Sequence, residues 1–391
     1  ELGAFEEFGK ETIVLYNQIA GLSVPVFINE FWTSGQRQAN KLHEISYRAC
    51  FKPQLPKFFI DRLTEAGDVV YDPFMGRGTT LIEAALLGRV PMGCDINPLS
   101  SLLTAPRLRI PNIEDIEARL RSLELDEPIE TREDLLAFYH PNVLTKVSNL
   151  RQYFIDRRAA QANDSIDDWI QMVATNRLTG HSPGFFSVYT LPPNQATSAE
   201  GQRRINEKRK QVPEQRDVGA ILKKKSKALL ADVQPLMGSQ QEHAGRAALM
   251  TGVASAMPQL ADQSVQLVVT SPPFLDVVQY ATDNWLRCWF CGIDAKAVPI
   301  TMARTVDAWQ QAMYESFVEQ FRVVRSGGYV AFEVGEVRKG KVRLEEAALP
   351  VARKAGFVPE LVMINAKQRG LTLHQIFGFF LGMSLEEAMA M

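Results

Sequence analysis

The chain has 391 residues, 46% of them hydrophobic and 23% charged, with a formal net charge of −2. That balance excludes a polycation and a low-complexity chain, and no apolar run approaches the roughly 20 residues that a membrane-spanning helix requires. Four scattered cysteines in so long a chain exclude a disulfide scaffold and fit a reducing cytoplasm, the expected compartment.

Residues 1–60 mix short apolar and polar stretches and end in an expected helix over Pro56–Thr64. The β-branched run Asp68-Val69-Val70-Tyr71 is the first expected strand. It leads into Asp72-Pro73-Phe74-Met75-Gly76-Arg77-Gly78-Thr79-Thr80. A helical pattern with Leu81, Ala84, Ala85 and Leu86 apolar then runs to Gly88. Val90–Cys94 is a second strand, followed by Asp95-Ile96-Asn97-Pro98. Strand, glycine turn, helix, strand is a βαβ unit. Gly76 and Gly78 permit a tight turn and let backbone N–H groups approach a ligand at the positive helix N-terminus. Position 81 is Leu, so the full dinucleotide fingerprint is not met. Asp95, ending the next strand, puts a carboxylate where two ribose hydroxyls can be accepted. By themselves these residues fit a generic α/β turn with a helix-capping Asp95 equally well.

From Glu114 to Ile170 the pattern is amphipathic and helical. Gly180–Pro213 changes character, with turn residues and a dense basic run. Between Glu200 and Lys227 ten basic residues face four acidic ones, a local excess of six positive charges in a chain of net −2. Arg203, Arg204, Lys208, Arg209, Lys223 and Lys224 are the candidates for phosphate contact, against the plainer reading of a solvated helix face. Asn194, Gln195, Gln202 and Asn206 are candidates for reading adenine edges. Strand character returns near Ala247. Ser264–Thr270 reads as a buried strand ending in Ser271-Pro272-Pro273-Phe274. A helix carrying Trp285, Cys288 and Trp289 follows. The Cys288–Cys291 pair lacks the second ligand pair that zinc requires, so no metal is expected. Ala308–Val324 reads as a helix closed at Ser326-Gly327-Gly328, Tyr329–Val334 as a strand, Ala347–Ala355 as a helix capped by Gly356, and Leu361–Ile364 as a strand. The alternation implies an α/β fold: a mostly parallel sheet with helices on both faces and a large, mainly helical insert. The domain boundaries expected are 1–110, 111–244 for the basic insert, and 245–391. Ligands in such sheets sit outside the carboxyl ends of the strands, where both notable loops lie.

Asp72–Thr80, continued by Glu83-Ala84, Gly88 and Gly93–Pro98, resembles the cofactor motifs of amino-group (N4-cytosine and N6-adenine) DNA methyltransferases. Tyr47–Pro56 is similar to the methionine-side cofactor motif of that family, and Thr270–Phe274 to its catalytic TSPPF motif. The resemblance implies a Rossmann-like sheet that binds S-adenosyl-L-methionine. Phe51, Pro53, Asp72, Phe74, Gly76, Gly78, Thr79, Asp95 and Asn97 would line the cofactor site, with Asp95 on the ribose and Phe51 and Pro53 closing the far side. It implies Ser271, Pro272, Pro273 and Phe274 as catalytic residues, with Leu275, Asp276, Tyr280 and Trp285 near the target base; for Trp285, helix packing is an equal alternative. A base amino nitrogen is a poor nucleophile because its lone pair is delocalised into the ring. Hydrogen bonds from its two protons to the Ser271 hydroxyl and the Pro272 carbonyl favour a pyramidal nitrogen. The prolines fix φ and remove competing donors, and Phe274 offers a π face to an extruded base. Ser at the first position of the tetrapeptide tilts the expectation to cytosine N4. Double-stranded DNA, and a cognate restriction endonuclease, are the implied partners. Two departures stand out. Thr251-Gly252-Val253-Ala254 lacks the Gly-Asp carboxylate of many relatives, and Lys367–Met391 fits the family poorly enough to leave the last strand in doubt.

Overall fold

An antiparallel hairpin opens the chain, β1 (Ile13–Ile19) and β2 (Leu22–Asn29), turned at Gly21 with φ +76°. Helix α1 (Gln54–Leu63), strand β3 (Val69–Asp72), helix α2 (Thr79–Leu86), strand β4 (Val90–Asp95) and helix α3 (Pro98–Thr104) follow. The chain then leaves the sheet for α4 (Ile113–Ser122), α5 (Pro141–Ala159), α6 (Ser165–Thr175), α7 (Ala199–Arg209), α8 (Val218–Leu230) and α9 (Ser239–Gly245). It returns as β5 (Ala248–Thr251) and β6 (Val265–Thr270), then α10 (Tyr280–Cys291), α11 (Val306–Val323) and β7 (Val324–Val334). A short pair, β8 (Glu336–Val337) and β9 (Val342–Arg343), precedes α12 (Leu344–Lys354), β10 (Val358–Asn365) and β11 (Phe377–Gly382). This computed structural model describes residues 2–8, 11–19, 21–32, 39–47, 50–192, 195–233, 239–275, 280–299, 303–337, 342–365 and 377–382. Asn194, Asp276, residues 48–49 and residues 367–376 and 383–391 of the tail therefore lie outside the described residues.

Nine strands form one sheet in the order β1-β2-β10-β11-β7-β6-β3-β4-β5. From β7 to β5 every pairing is parallel, and β11 runs antiparallel between β7 and β10. Strand order reverses between β3 and β6, which makes their carboxyl ends the switch-point crevice of an open α/β sheet. The period of two along the strands sorts side chains between two cores. Tyr71, Val268, Val330 and Phe332 join Trp309, Met313, Phe317 and Leu349 of α11 and α12. Their neighbours Val70, Leu267, Val269 and Ala331 join Leu55, Phe58, Phe59 and Ile60 of α1. All six residues of β6 are buried, as expected of a strand covered on both faces. A third core, built around α4, α5, α6 and α8, is shared with α3 and α10, so the insert packs onto the sheet's helices. Its helices start at side-chain caps: Asn112 for α4, Asp164 for α6, Ser198 for α7 and Asp217 for α8.

Three expectations need correction. Ser326-Gly327-Gly328 does not close α11. The helix ends as Val324 turns extended (φ −73°, ψ 129°), and the glycines lie within β7 where its register against β6 shifts. The last strand is present: β11 pairs on both sides despite its unusual sequence. The N-terminal region also contributes strands, β2 adding to β10 in parallel.

Candidate active site

Gly76 and Gly78 take φ +50° and +75°, and Gly78 caps α2 in the left-handed conformation. A Cβ on Gly78 would lie 2.4 Å from Cγ2 of buried Thr104, so only glycine fits there. Asp95 holds the loop from the next strand: Gly76 N–H donates to its Oδ2 at 2.8 Å and Asn97 N–H to its Oδ1 at 2.9 Å. The Asp95 carboxyl is pushed up by burial, which these backbone donors oppose. Two carboxylate oxygens offer about four lone-pair sites, so further donors can be accepted. Thr79 is buried and accepts from Arg77 Nε at 3.1 Å. Asn97 is committed to structure: its Oδ1 accepts from Leu99 N–H at 2.9 Å as the cap of α3, and its Nδ2 donates to the Tyr47 hydroxyl at 3.1 Å.

Residues 41–47 and 50–53 cover this loop, and Arg77 is the fastening that the sequence reading missed. Its Nη1 donates to the Ile45 carbonyl at 2.8 Å and its Nη2 reaches the Phe51 carbonyl at 3.5 Å. Fully buried Arg107 donates to the carbonyls of Leu42 (3.0 Å) and Arg77, and burial lowers its pKa to about 9. Buried His43 pairs with Glu83 at 2.7 Å. Tyr47 and Cys50 are the side chains that face Gly76. Phe51 packs, half-buried, with the α1 core, and Pro53 is buried at the start of α1. Beyond β5, Gly252 N–H donates to the Asp95 carbonyl at 3.0 Å, and Val253 exposes 48% of its surface where the sequence lacks a carboxylate.

The second loop leaves β6, adjacent to β3. Ser271 is half-buried near the carboxyl of Glu333 on β7, which burial pushes up to about 6 and the neighbouring Ser271 hydroxyl pulls down. The indole Nε1 of Trp309, at the start of α11, donates to the Pro273 carbonyl at 2.9 Å. The half-buried Phe274 ring lies against Gly335, where a Cβ would come within 3.4 Å of its Cε2. Pro272 is buried and Pro273 exposed. Neither Glu333 nor Trp309 entered the sequence reading. The available signal was a lone acid in the apolar run Tyr329–Val334. Trp285 donates to the Thr197 carbonyl at 3.1 Å and packs on Phe138, so it ties the insert to α10.

The two loops meet at Asp72, which is 1% exposed. Its Oδ1 accepts from Phe74 N–H at 3.0 Å and from the Thr270 hydroxyl at 2.6 Å, while the Thr80 hydroxyl donates to the Val269 carbonyl at 3.0 Å. Burial raises the Asp72 carboxyl to about 7; the hydrogen bonds pull the other way, and nearby Asp95 adds to the rise. As pH rises, the unfolded chain therefore releases this proton before the folded one. Asp72 makes stability fall between about pH 4 and pH 7, at a slope of at most ~1.4 kcal/mol per pH unit, with no further loss above. Urea unfolding across that window should show a flatter slope for Asp72→Asn than for the parent. Identical slopes would contradict the assignment.

On the basic helices, Arg203, Lys208 and Lys224 are exposed and have no ion-pair partner among the described residues. Arg204 pairs with Glu200, Lys223 with Glu117 at 2.9 Å, and Arg209 stacks 3.7 Å above the Tyr189 ring. The proposed adenine readers Gln202 and Asn206 are corrected. Gln202 is fully buried and donates to the Tyr189 carbonyl (3.0 Å), and Asn206 donates to the Ala137 carbonyl (2.7 Å). Cys288 and Cys291 are buried on α10, and among the described residues no group of His, Cys, Asp or Glu is arranged to hold a metal. No helix among them is long and apolar enough to cross a membrane.

Residues 22–100 match a family model described as DNA methylase, of the N6/N4 type. The chain is 24% identical over 292 residues to the Type II methyltransferase M.BsoBI of Geobacillus stearothermophilus, covering 67% of this chain and 55% of that one. It is 34% identical over 101 residues to the Type II methyltransferase M.MjaII of Methanocaldococcus jannaschii, covering 26% and 18%. It is 33% identical over 91 residues to a tRNA (guanine(10)-N2)-dimethyltransferase of the same organism, covering 23% and 26%. The chain thus spans about half of M.BsoBI and smaller shares of the other two.

Proposed function

We propose that this chain is a member of the amino-methyltransferase family it resembles, with S-adenosyl-L-methionine as methyl donor, and that it methylates an exocyclic amino group of DNA, at cytosine N4. The residues at the glycine loop fit the donor. Gly76 leaves ordinary contact space beneath Tyr47 and Cys50, at 3.8 and 4.0 Å from a Cβ, and the half-buried Asp95 carboxylate has lone pairs left for ribose hydroxyls. Bound there, the donor supplies an electrophilic sulfonium methyl.

The observation that carries the reading is the joining of the two loops at adjacent strand ends: β6 lies beside β3, and the hydroxyl of Thr270, directly before Ser271, donates to Asp72 at the head of the glycine loop at 2.6 Å. With the Glu333 carboxyl nearby to take the Ser271 hydrogen, the oxygen lone pairs of Ser271 are left to accept a proton of the base amino group. The Pro272 carbonyl accepts the second, and the nitrogen lone pair is localised toward the methyl group. Phe274 stacks on the extruded base. Catalysis is then chiefly positioning, and Glu333 stands ready for the proton released on transfer. Arg203, Lys208 and Lys224 serve as phosphate contacts, and a cognate endonuclease of a restriction–modification pair is the matching partner. Single-molecule sequencing of DNA from cells expressing the protein tests base, atom and site together: N4-methylcytosine at a fixed sequence supports the reading, and unmodified DNA rejects it. The tRNA-modifying relative makes RNA the second reading, and methyl incorporation into total tRNA but not DNA would select it.

Replacing Arg203, Lys208 and Lys224 by Gln should weaken duplex binding at low salt. The slope of log K against log salt should fall by about 0.9 for each phosphate no longer neutralised. Fluorescence anisotropy across a salt series measures it. An unchanged slope would remove these residues from the DNA face.

A further inference from the structure

Backbone pairing between β3 and β6 stops at Tyr71 and Val268. Past that point the chains diverge, one into the glycine loop and the other into Ser271–Phe274. What joins them there is side-chain chemistry: the Thr270 hydroxyl on Asp72 and the Thr80 hydroxyl on the Val269 carbonyl. The first link has a particular form. Oδ1 of Asp72 accepts both Phe74 N–H of the glycine loop, at 3.0 Å, and the Thr270 hydroxyl, at 2.6 Å. One atom therefore holds a donor from each half of the site. Thr270 is fully buried and immediately precedes Ser271.

We propose that Oδ1 of Asp72 is the coupling point of the site, through which occupation of the glycine loop orders the Ser271–Phe274 loop by way of Thr270. The inference rests on the methyltransferase reading, and Thr270 is a positioning residue in it. A short hydrogen bond to a buried carboxylate tolerates little displacement. When a ligand fixes the backbone at Phe74 and Gly76, the Asp72 carboxylate is fixed with it, and so is the hydroxyl that donates to the same oxygen. The residue that follows then loses freedom. By reciprocity, capture of a base at Ser271 and Phe274 tightens the glycine loop on its ligand by the same factor.

The test is amide hydrogen exchange with and without S-adenosylhomocysteine, with binding of the same compound followed by calorimetry. Pro272 and Pro273 carry no N–H, so the reporters are Ser271, Phe274 and Leu275. In the parent protein the compound should slow exchange there about five-fold or more. Thr270→Val removes the hydroxyl and keeps the β-branched shape. It should bind the compound within about three-fold of the parent and lose the slowing, while Thr270→Ser should retain it. If the Val variant does not fold, Thr270→Ala serves the same purpose. Slowing in Thr270→Val or Thr270→Ala equal to the parent's, or none in a parent that binds the compound, would overturn the coupling and leave the methyltransferase reading standing. A folded parent that does not bind the compound would sink that reading, and the coupling with it.

Discussion

Ser271→Ala is expected to reduce methyl transfer by ~10²–10³-fold under single-turnover conditions, while S-adenosylhomocysteine binding stays within about two-fold of the parent. Removing a fixed acceptor near the reacting atom costs transition-state stabilisation and little ground-state binding. The side chain is half-buried near Glu333, so alanine deletes the acceptor and takes a polar neighbour from that carboxyl. Folding should be little affected, because Pro272 is buried and Trp309 still donates to the Pro273 carbonyl at 2.9 Å. A parent-like single-turnover rate would remove Ser271 from the chemistry. Glu333→Gln provides a companion reading. With its carboxyl raised to about 6, activity should climb as pH passes through that value, and the variant should lack this limb.

The second large effect is on stability. Gly78→Ala puts a Cβ 2.4 Å from Thr104 Cγ2 and 2.5 Å from its Oγ1, at a φ of +75°. The left-handed backbone costs ~1–2 kcal/mol for a residue with a side chain, and the overpacking against a buried neighbour adds ~1–3 kcal/mol. A loss of about 2–5 kcal/mol is expected in urea unfolding, with weakened binding of S-adenosylhomocysteine. Gly76→Ala is the control. Its φ is +50°, but its nearest neighbour, Tyr47 Cε1, lies at an ordinary 3.8 Å, so only the backbone cost of ~1–2 kcal/mol applies. Equal losses at the two positions would contradict this description of the loop.

The parts of the fold legible in the sequence are those whose signal is local. β3, α2 and β4 announce themselves by a β-branched run, a glycine turn and a 3.6-residue pattern, all within Asp68–Asp95. β6 was legible as an apolar run closed by Pro272 and Pro273. What was missed depends on distant partners. β11 takes its place from pairing with β7 and β10 on both sides, which no local pattern states. The Ser326–Gly328 stretch looks like a helix stop, yet β7 begins directly at Val324 and absorbs those residues in its register shift. The basic run looked uniformly available, but Glu117 takes Lys223 and Lys227 at 2.9 Å each, and Glu44 takes Lys225 at 2.6 Å. Both acids are far away in sequence. At the candidate site, Asp72, Asp95 and Ser271 are the candidates that the motifs name. Their supports, Thr270, Glu333, Arg77 and Trp309, are ordinary residues made important by what they touch.

One transfer reaction tests the proposed activity most directly. Purified protein incubated with S-adenosylmethionine labelled in its methyl group and with mixed-sequence duplex DNA, followed by nucleoside analysis, should place the label on N4-methyldeoxycytidine. Label absent from the DNA amino groups, with the protein folded and the donor bound, would contradict a single site that joins a sulfonium donor to an extruded base.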